Sequence, residues 1–311
     1  MSYKKCAGRL LEQDDFLLVT HKNPDGDCMG SAAALCSALR RKGKRAFLYP
    51  NPQTNRKLLP FVEEFFAPAD FVPRYTVAVD VADRNMLAQG FDGSVDLMLD
   101  HHPTEKDRGV PSLVHPEKAS CGQVVLKLLQ SMGLKPTVQE ANLLYIALST
   151  DCGCFRYANT DAAALEAAAE LLRCGAENHR LNELFFNKLS PARMKLEGMI
   201  YDSMGFYRNG ELVIALVTND MMARAGADLE DCDDLAGIAG RAAGSRMSIT
   251  IRELEDGGSK VSVRSQPGLS SREVCLAFGG GGHELAAGCS IDATPKRARE
   301  LLLAVVNEVW K

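Results

Sequence analysis

The chain has 311 residues, 46% of them hydrophobic, and a formal net charge of −4. That length and apolar content suffice for about two domains with packed cores, while the slightly acidic balance argues against a broad basic surface for long nucleic acids. No apolar run approaches the ~20 residues of a membrane helix, and the opening Met1-Ser2-Tyr3-Lys4-Lys5-Cys6 has no signal-peptide core, so a soluble cytoplasmic protein is expected.

In chain order, the apolar run at 16–20 predicts a strand that delivers His21, Asp25 and Asp27 onto a turn containing Pro24 and Gly26. Residues 30–41 are rich in Ala and Leu and predict a helix that Gly43 can cap. Further strands are expected at 44–49, at 76–79 ending on Asp80, and at 95–99 ending on Asp100-His101-His102. Strands alternating with helical stretches predict a largely parallel sheet covered on both faces, which would bring these strand-end side chains to one edge. A polar loop at 103–116 precedes three expected helices: 122–132, one after Pro136 that runs toward Asp151, and 161–173 with Asp161 at its start.

Residues 182–205 read as more helix with a break at Pro191, and the alternation stops there. Strands are expected at 212–218, 247–254 and 260–264, with a solvated acidic loop at 228–234. A second, smaller α/β domain therefore starts near Phe206. It contains Gly279-Gly280-Gly281-Gly282-His283, whose unobstructed N–H groups could cradle a phosphate if the Ala-rich run that follows opens as a helix. Arg264-Ser265, at a predicted strand end, could add a guanidinium.

The ten cysteines include no Cys-x-x-Cys pair, and reduced thiols are the expected state. Cys28, Cys152 and Cys154 adjoin candidate ligands, where small-residue packing is the ordinary role and oxidation or a soft metal the alternative. His21, Asp25, Asp27, Asp80, His101 and Asp151 are all of types that bind divalent metals. A lone Asp is more often a cap or turn former. Several carboxylates packed together, however, are costly unless a cation compensates.

With these motifs the chain resembles the DHH phosphoesterases, in particular two-domain proteins similar to nanoRNase/pAp phosphatases and stand-alone cyclic-dinucleotide phosphodiesterases. The resemblance runs from His21 to Gly288; Cys152 and Cys154 depart from the usual pattern without removing a ligand. It implies a catalytic metal-binding domain at 1–188, a helical linker at 189–205 and a substrate-binding domain at 206–311, with the active site in the cleft between them. It also implies two Mn²⁺ ions, with His21 and Asp25 on one, Asp27, His101 and Asp151 on the other, and Asp80 bridging. Asp100 would orient an imidazole, and His102 would face the substrate phosphate or leaving group. Arg264, Ser265, Gly280, Gly281, Gly282 and His283 would hold another phosphate or a terminal nucleotide, while Phe155, Arg156 or Tyr157 either contacts a base or packs its own loop. The implied substrates are short oligoribonucleotides, linear dinucleotides and pAp, with cyclic di-AMP, pyrophosphate or a catalytically silent nucleotide-binding regulator as alternatives. No long duplex and no membrane is expected as a partner, and a homodimer is a candidate assembly.

Overall fold

Five short apolar strands organise the first half of the chain. The computed structural model describes residues 1–103, 108–232 and 235–310; positions 104–107 of the expected polar loop, and Asp233 and Asp234 of the acidic segment, lie outside the described residues. The chain forms two units, Met1–Lys188 and Leu189–Lys311.

In the first unit the elements run α1 (Tyr3–Glu12), β1 (Phe16–Val19), α2 (Gly26–Arg41), β2 (Ala46–Leu48), α3 (Leu59–Val62), β3 (Tyr75–Val79), β4 (Leu97–Asp100), β5 (Ser112–Val114), α4 (Cys121–Ser131), α5 (Val138–Asp151), α6 (Ala162–Arg173) and α7 (Asn178–Asn182). The sheet order is β2-β1-β3-β4-β5, and every pair is parallel. β1, β3 and β4 are buried along their whole length, as continuous apolar runs require when both faces are covered. One face carries Phe16, Leu18, Val77, Val79, Leu97 and Leu99 into a core shared with the helices. On the other, Leu17, Val19, Ala78 and Met98 pack under connecting segments that supply Phe71, Leu87, Ala88 and Phe91. The sheet is thus covered on both faces as expected, but helices do this on one face and aromatic-bearing loops on the other.

Two local readings are corrected here. β5 lies inside the segment expected to be a polar loop, because three residues with only Leu113 fully buried give too little periodicity to distinguish a strand. Helix α2 begins at Gly26, not near Gly30, with Asp25 as its N-cap accepting from Cys28 N at 3.0 Å; Asp27 therefore lies in the first helical turn rather than on a loop.

The second unit contains α8 (Pro191–Ser203), β6 (Gly205–Tyr207), β7 (Leu212–Val217), α9 (Asn219–Ala225), β8 (Met247–Glu253), β9 (Ser259–Ser265), α10 (Ser271–Leu276), β10 (Gly281–His283), β11 (Ala286–Ile291) and α11 (Pro295–Val309). Its sheet, in the order β10-β11-β9-β8-β7-β6, is mixed, with β7 and β8 the parallel pair. Ile214, Ile249, Val261 and Val263 pack on one face with Val274 of α10 and Leu302 of α11. Val213, Ala215 and Val217 face the other way, against Leu196 and Ile200 of α8 and Leu235 and Ile238. The helix expected within a linker at 189–205 therefore contributes its apolar side to the core of the second unit.

The run after the four glycines is a strand, not a helix opening. Ala287, Cys289 and Ile291 are buried while Gly288 and Ser290 are exposed, a period of two that fits a half-covered strand. β10 and β11 form a tight hairpin in which Gly281 pairs Gly288 and His283 pairs Ala286. Gly282 has φ +139°, and a Cβ there would stand 2.6 Å from the Ala286 carbonyl, so this approach is open only to glycine.

Candidate metal centre

All strands of the first sheet point the same way, so the residues following β1, β3 and β4 emerge at one edge. His21 follows β1, Asp80 follows β3, and Asp100 ends β4 with His101 and His102 immediately after. The helices complete the group. A Cβ on Gly30 would lie 2.4 Å from the Leu143 carbonyl, and one on Gly26 would lie 2.4 Å from the Thr150 hydroxyl. Helices α2 and α5 therefore cross antiparallel with no room for a side chain, which carries Asp151 at the end of α5 to Asp25 and Asp27 at the start of α2.

The imidazoles are aimed through their outer nitrogens. His21 Nδ1 lies 2.8 Å from the Lys22 carbonyl and His101 Nδ1 lies 3.1 Å from the Lys118 carbonyl, so each Nδ1 carries the proton and each Nε2 presents a lone pair. His101 Nε2 stands 3.6 Å from carboxylate oxygens of Asp27, Asp80 and Asp151 alike. His21 Nε2 is 3.6 Å from Asp25 and 3.8 Å from Asp80. These spacings are too long for hydrogen bonds; the 3.6 Å ones match the ~3–3.6 Å that separates two ligands bound ~2.1 Å from a shared cation, and the 3.8 Å one lies just beyond it.

Two further observations fit a cation. Among the described residues His101 Nε2 and Asp80 Oδ1 are buried without a hydrogen-bond partner, which is costly for polar atoms. The carboxylates also crowd one another: burial, then the charges of Asp27, Asp25, Asp100 and Asp151, push Asp80 well above the usual range. Burial, then Asp151 and Asp25, does the same to Asp27, although Asp27 accepts from Cys121 N at 2.7 Å and Gly122 N at 2.9 Å in the first turn of α4. Asp151 is raised to about 6 by burial and Asp25. Burial and the neighbouring His102 hold His101 below its ordinary value. His21, Asp25 and Cys28 lie together, as do Asp27, His101 and Asp151, and as do Asp80, His101 and His102. The donor set of carboxylates and imidazoles suits divalent cations.

Asp100 is fully buried and accepts from the backbone N–H groups of His101 and His102 and from His102 Nδ1 at 2.9 Å. That bond fixes the tautomer of His102, whose side chain is 48% exposed. Sequence reasoning missed three supports. Arg108, 7% exposed, donates to Asp100 Oδ2 at 2.5 Å and to the Val81 carbonyl at 2.8 Å, tying the ends of β3 and β4 together. Buried Asn51 donates to the His21 carbonyl at 2.9 Å, and Ser31 donates to Asp27 at 3.2 Å. Only a polar residue's burial marks these positions, and burial is not written in the sequence.

The remaining expected residues are placed as follows. Phe155 packs toward the core with its ring 5.9 Å from Tyr145, whereas Arg156 and Tyr157 are exposed. In the second unit, Ala286 pairs with His283 on one side and Arg264 on the other, so His283 and Arg264 occupy one rung and one face. Both are exposed, on the face away from Val263 and α10. The Ser265 hydroxyl donates to the Leu269 carbonyl at 3.0 Å and accepts from Ser271, closing the turn into α10. Gly281 and Gly282 lie in β10, with Gly280 just before it.

Residues 15–148 match the DHH family, N-terminal domain, and residues 209–311 match the DHHA1 domain. The bifunctional oligoribonuclease and PAP phosphatase NrnA of Thermus thermophilus is 35% identical over 296 residues, covering 94% of this chain and 89% of that protein. The chain belongs to the DHH family. The Bacillus subtilis protein of the same name is 27% identical, covering 89% of this chain and 90% of its own length. A solved structure described as an exopolyphosphatase-related protein from Bacteroides fragilis superposes with a TM-score of 0.88 at 20% identity, over 98% of this chain and 96% of that one. This shared fold runs through both domains, and the DHH triplet for which the family is named is Asp100-His101-His102. Among the described residues no helix is long and apolar enough to cross a membrane.

Proposed function

We propose that this DHH-family chain is a phosphoesterase dependent on two divalent ions, best served by Mn²⁺, that hydrolyses short oligoribonucleotides, linear dinucleotides and pAp in the cytoplasm. The observation that carries the reading is the buried carboxylate and imidazole cluster, with His101 Nε2 and Asp80 Oδ1 unpartnered among the described residues, in a chain matched over 94% of its length by an oligoribonuclease and PAP phosphatase. His21 and Asp25 would hold one ion, Asp27, His101 and Asp151 the other, and Asp80 both. When bound, such ions activate a water and offset charge on the phosphoryl oxygens.

The protein's own groups do the rest. Asp100 holds the Nδ1 proton of His102, so His102 Nε2 is the group available to protonate the leaving oxygen. Arg108 keeps Asp100 in place to do so. The Lys22 and Lys118 carbonyls keep the His21 and His101 rings turned toward the cation. In the second unit, Arg264, Ser265, His283 and the backbone of Gly280, Gly281 and Gly282 form the proposed anchor for a second phosphate or terminal nucleotide, with Ser265 acting through the turn it closes. Anchoring one phosphate while another is cut favours short substrates.

The test is product analysis with purified protein and Mn²⁺, offering pAp, a 5′-phosphorylated trinucleotide, cyclic di-AMP and pyrophosphate in parallel. AMP from pAp and mononucleotides from the trinucleotide, with the cyclic compound intact, is the expected result. Cleavage of cyclic di-AMP at a comparable rate would move the assignment to cyclic-dinucleotide turnover. Inertness toward all four with metal bound would leave a nucleotide-binding regulator.

A further inference from the structure

Cys28 is a fully buried thiol that the proposed reaction does not use. It sits in the first turn of α2, one residue past Asp27, and its Sγ lies within 4.8 Å of ligand atoms of both His21 and Asp25. The thiol contacts the Asp25 carbonyl at 3.6 Å, a weak partner that a metal bond would replace. Asp80 completes the surroundings, 3.8 Å from His21 Nε2. Two donors on a shared tetrahedral ion stand ~3.6 Å apart when one is sulfur and the other nitrogen or oxygen. One imidazole, one carboxylate and one thiol gather within 4.8 Å of one another, with the Asp80 carboxylate beside His21, a donor set that a thiophilic cation takes, whereas among the described residues the group of Asp27, His101 and Asp151 offers only nitrogen and oxygen donors.

We propose that the His21–Asp25–Cys28 half of the centre is a soft-metal site, at which Zn²⁺ or Cd²⁺ binds with Cys28 Sγ as a ligand and displaces the ion that supports hydrolysis. On binding, the Sγ–H bond breaks, an Sγ–metal bond forms and the proton leaves to solvent; no electron is transferred. Mn²⁺ prefers oxygen and nitrogen donors and has no need of the sulfur. The two halves thus differ in selectivity, and soft cations act as inhibitors of this chain at one defined place. The inference rests on the metal-centre reading above.

The experiment titrates chelated full-length protein with Co²⁺ followed by absorption, with Cd²⁺ followed by calorimetry, and with Mn²⁺ in parallel. Wild type should show a thiolate-to-cobalt charge-transfer band that saturates at one equivalent. Cys28→Ala should abolish that band and weaken Cd²⁺ binding by about 10–100-fold or more, with the Mn²⁺ isotherm and the thermal melt close to wild type. Cys28→Ser preserves the volume and serves the same test if the alanine variant packs poorly. A band that survives in both variants would assign the sulfur to another thiol, such as Cys121 or Cys152, and overturn the proposal. Absence of the band in wild type that still binds Mn²⁺ would overturn it while leaving the metal centre standing. Failure to bind any of the three ions would overturn both.

Discussion

The two regions that carry the expected chemistry are built on opposite principles. At the strand ends and the start of α2 in the first unit, Asp27, Asp80 and Asp100 are buried and His101 is largely so, held by backbone N–H groups and carbonyls, with the carboxylates crowded together at a cost that a cation relieves. On the second sheet, Arg264 and His283 stand exposed on one rung of three paired strands. The first region thus crowds acidic groups that a cation would offset, whereas the second leaves Arg264 and His283 exposed, where their proposed role is to anchor a phosphate. Substitutions should therefore act on turnover and metal content in the first region and on substrate affinity in the second.

The largest effect is expected from His101→Ala, which removes the nitrogen shared by three carboxylates. Since loss of a supporting partner alone costs 10–100-fold in such sites, loss of the ligand itself should cut turnover by more than about 100-fold. Metal content should fall while circular dichroism stays native; near-normal activity would break the assignment. Arg264→Ala should instead raise KM by about 10–100-fold, the equivalent of one lost charge-assisted phosphate contact, with kcat little changed on a minimal phosphodiester. A loss confined to kcat would remove the distinction between the two regions.

Gly30→Ala probes how the first region is held together. A methyl group 2.4 Å from the Leu143 carbonyl forces α2 and α5 apart, so the thermal melt should show a loss of about 1–3 kcal/mol. Mn²⁺ affinity should weaken with it, because the crossing positions Asp151 against Asp27. A variant that loses stability but binds Mn²⁺ like wild type would show that the centre does not depend on this crossing.

The smallest effect separates the regions by pH. In chelated protein the Asp151 carboxyl is raised to about 6, and Asp27 and Asp80 are also raised, so between the ordinary carboxylate value and about 6 the native state binds more protons than the unfolded chain. Stability must then fall as pH rises through that window. The metal-free melting temperature should be higher at about pH 5.5 than at about pH 7.5, by on the order of a few degrees. Saturating Mn²⁺ should reverse the slope, since it binds the deprotonated groups. Calorimetric melts at the two pH values with and without the ion make the check, and a metal-free slope of the opposite sign would count against carboxylate crowding.

Sequence alone was sufficient for the parallel sheet, because continuous apolar runs ending on Asp80 and on Asp100-His101-His102 have few other readings, and it nominated six candidate ligands by side-chain type, which the fold places at strand ends (His21, Asp80, His101) and helix ends (Asp25, Asp27, Asp151). It was misleading at the glycine run, where the Ala-rich stretch from Ala286 resembles a helix until pairing with β9 shows its period of two. Local sequence carries no information about partners 20 or 100 residues away. Tertiary structure alone decided that Arg108 and Asn51 brace the site, that the first turn of α4 holds Asp27, and that the α2 and α5 crossing at Gly26 and Gly30 brings Asp151 home. These depend on which backbone approaches which, a distance set by packing and absent from any stretch of chain read by itself.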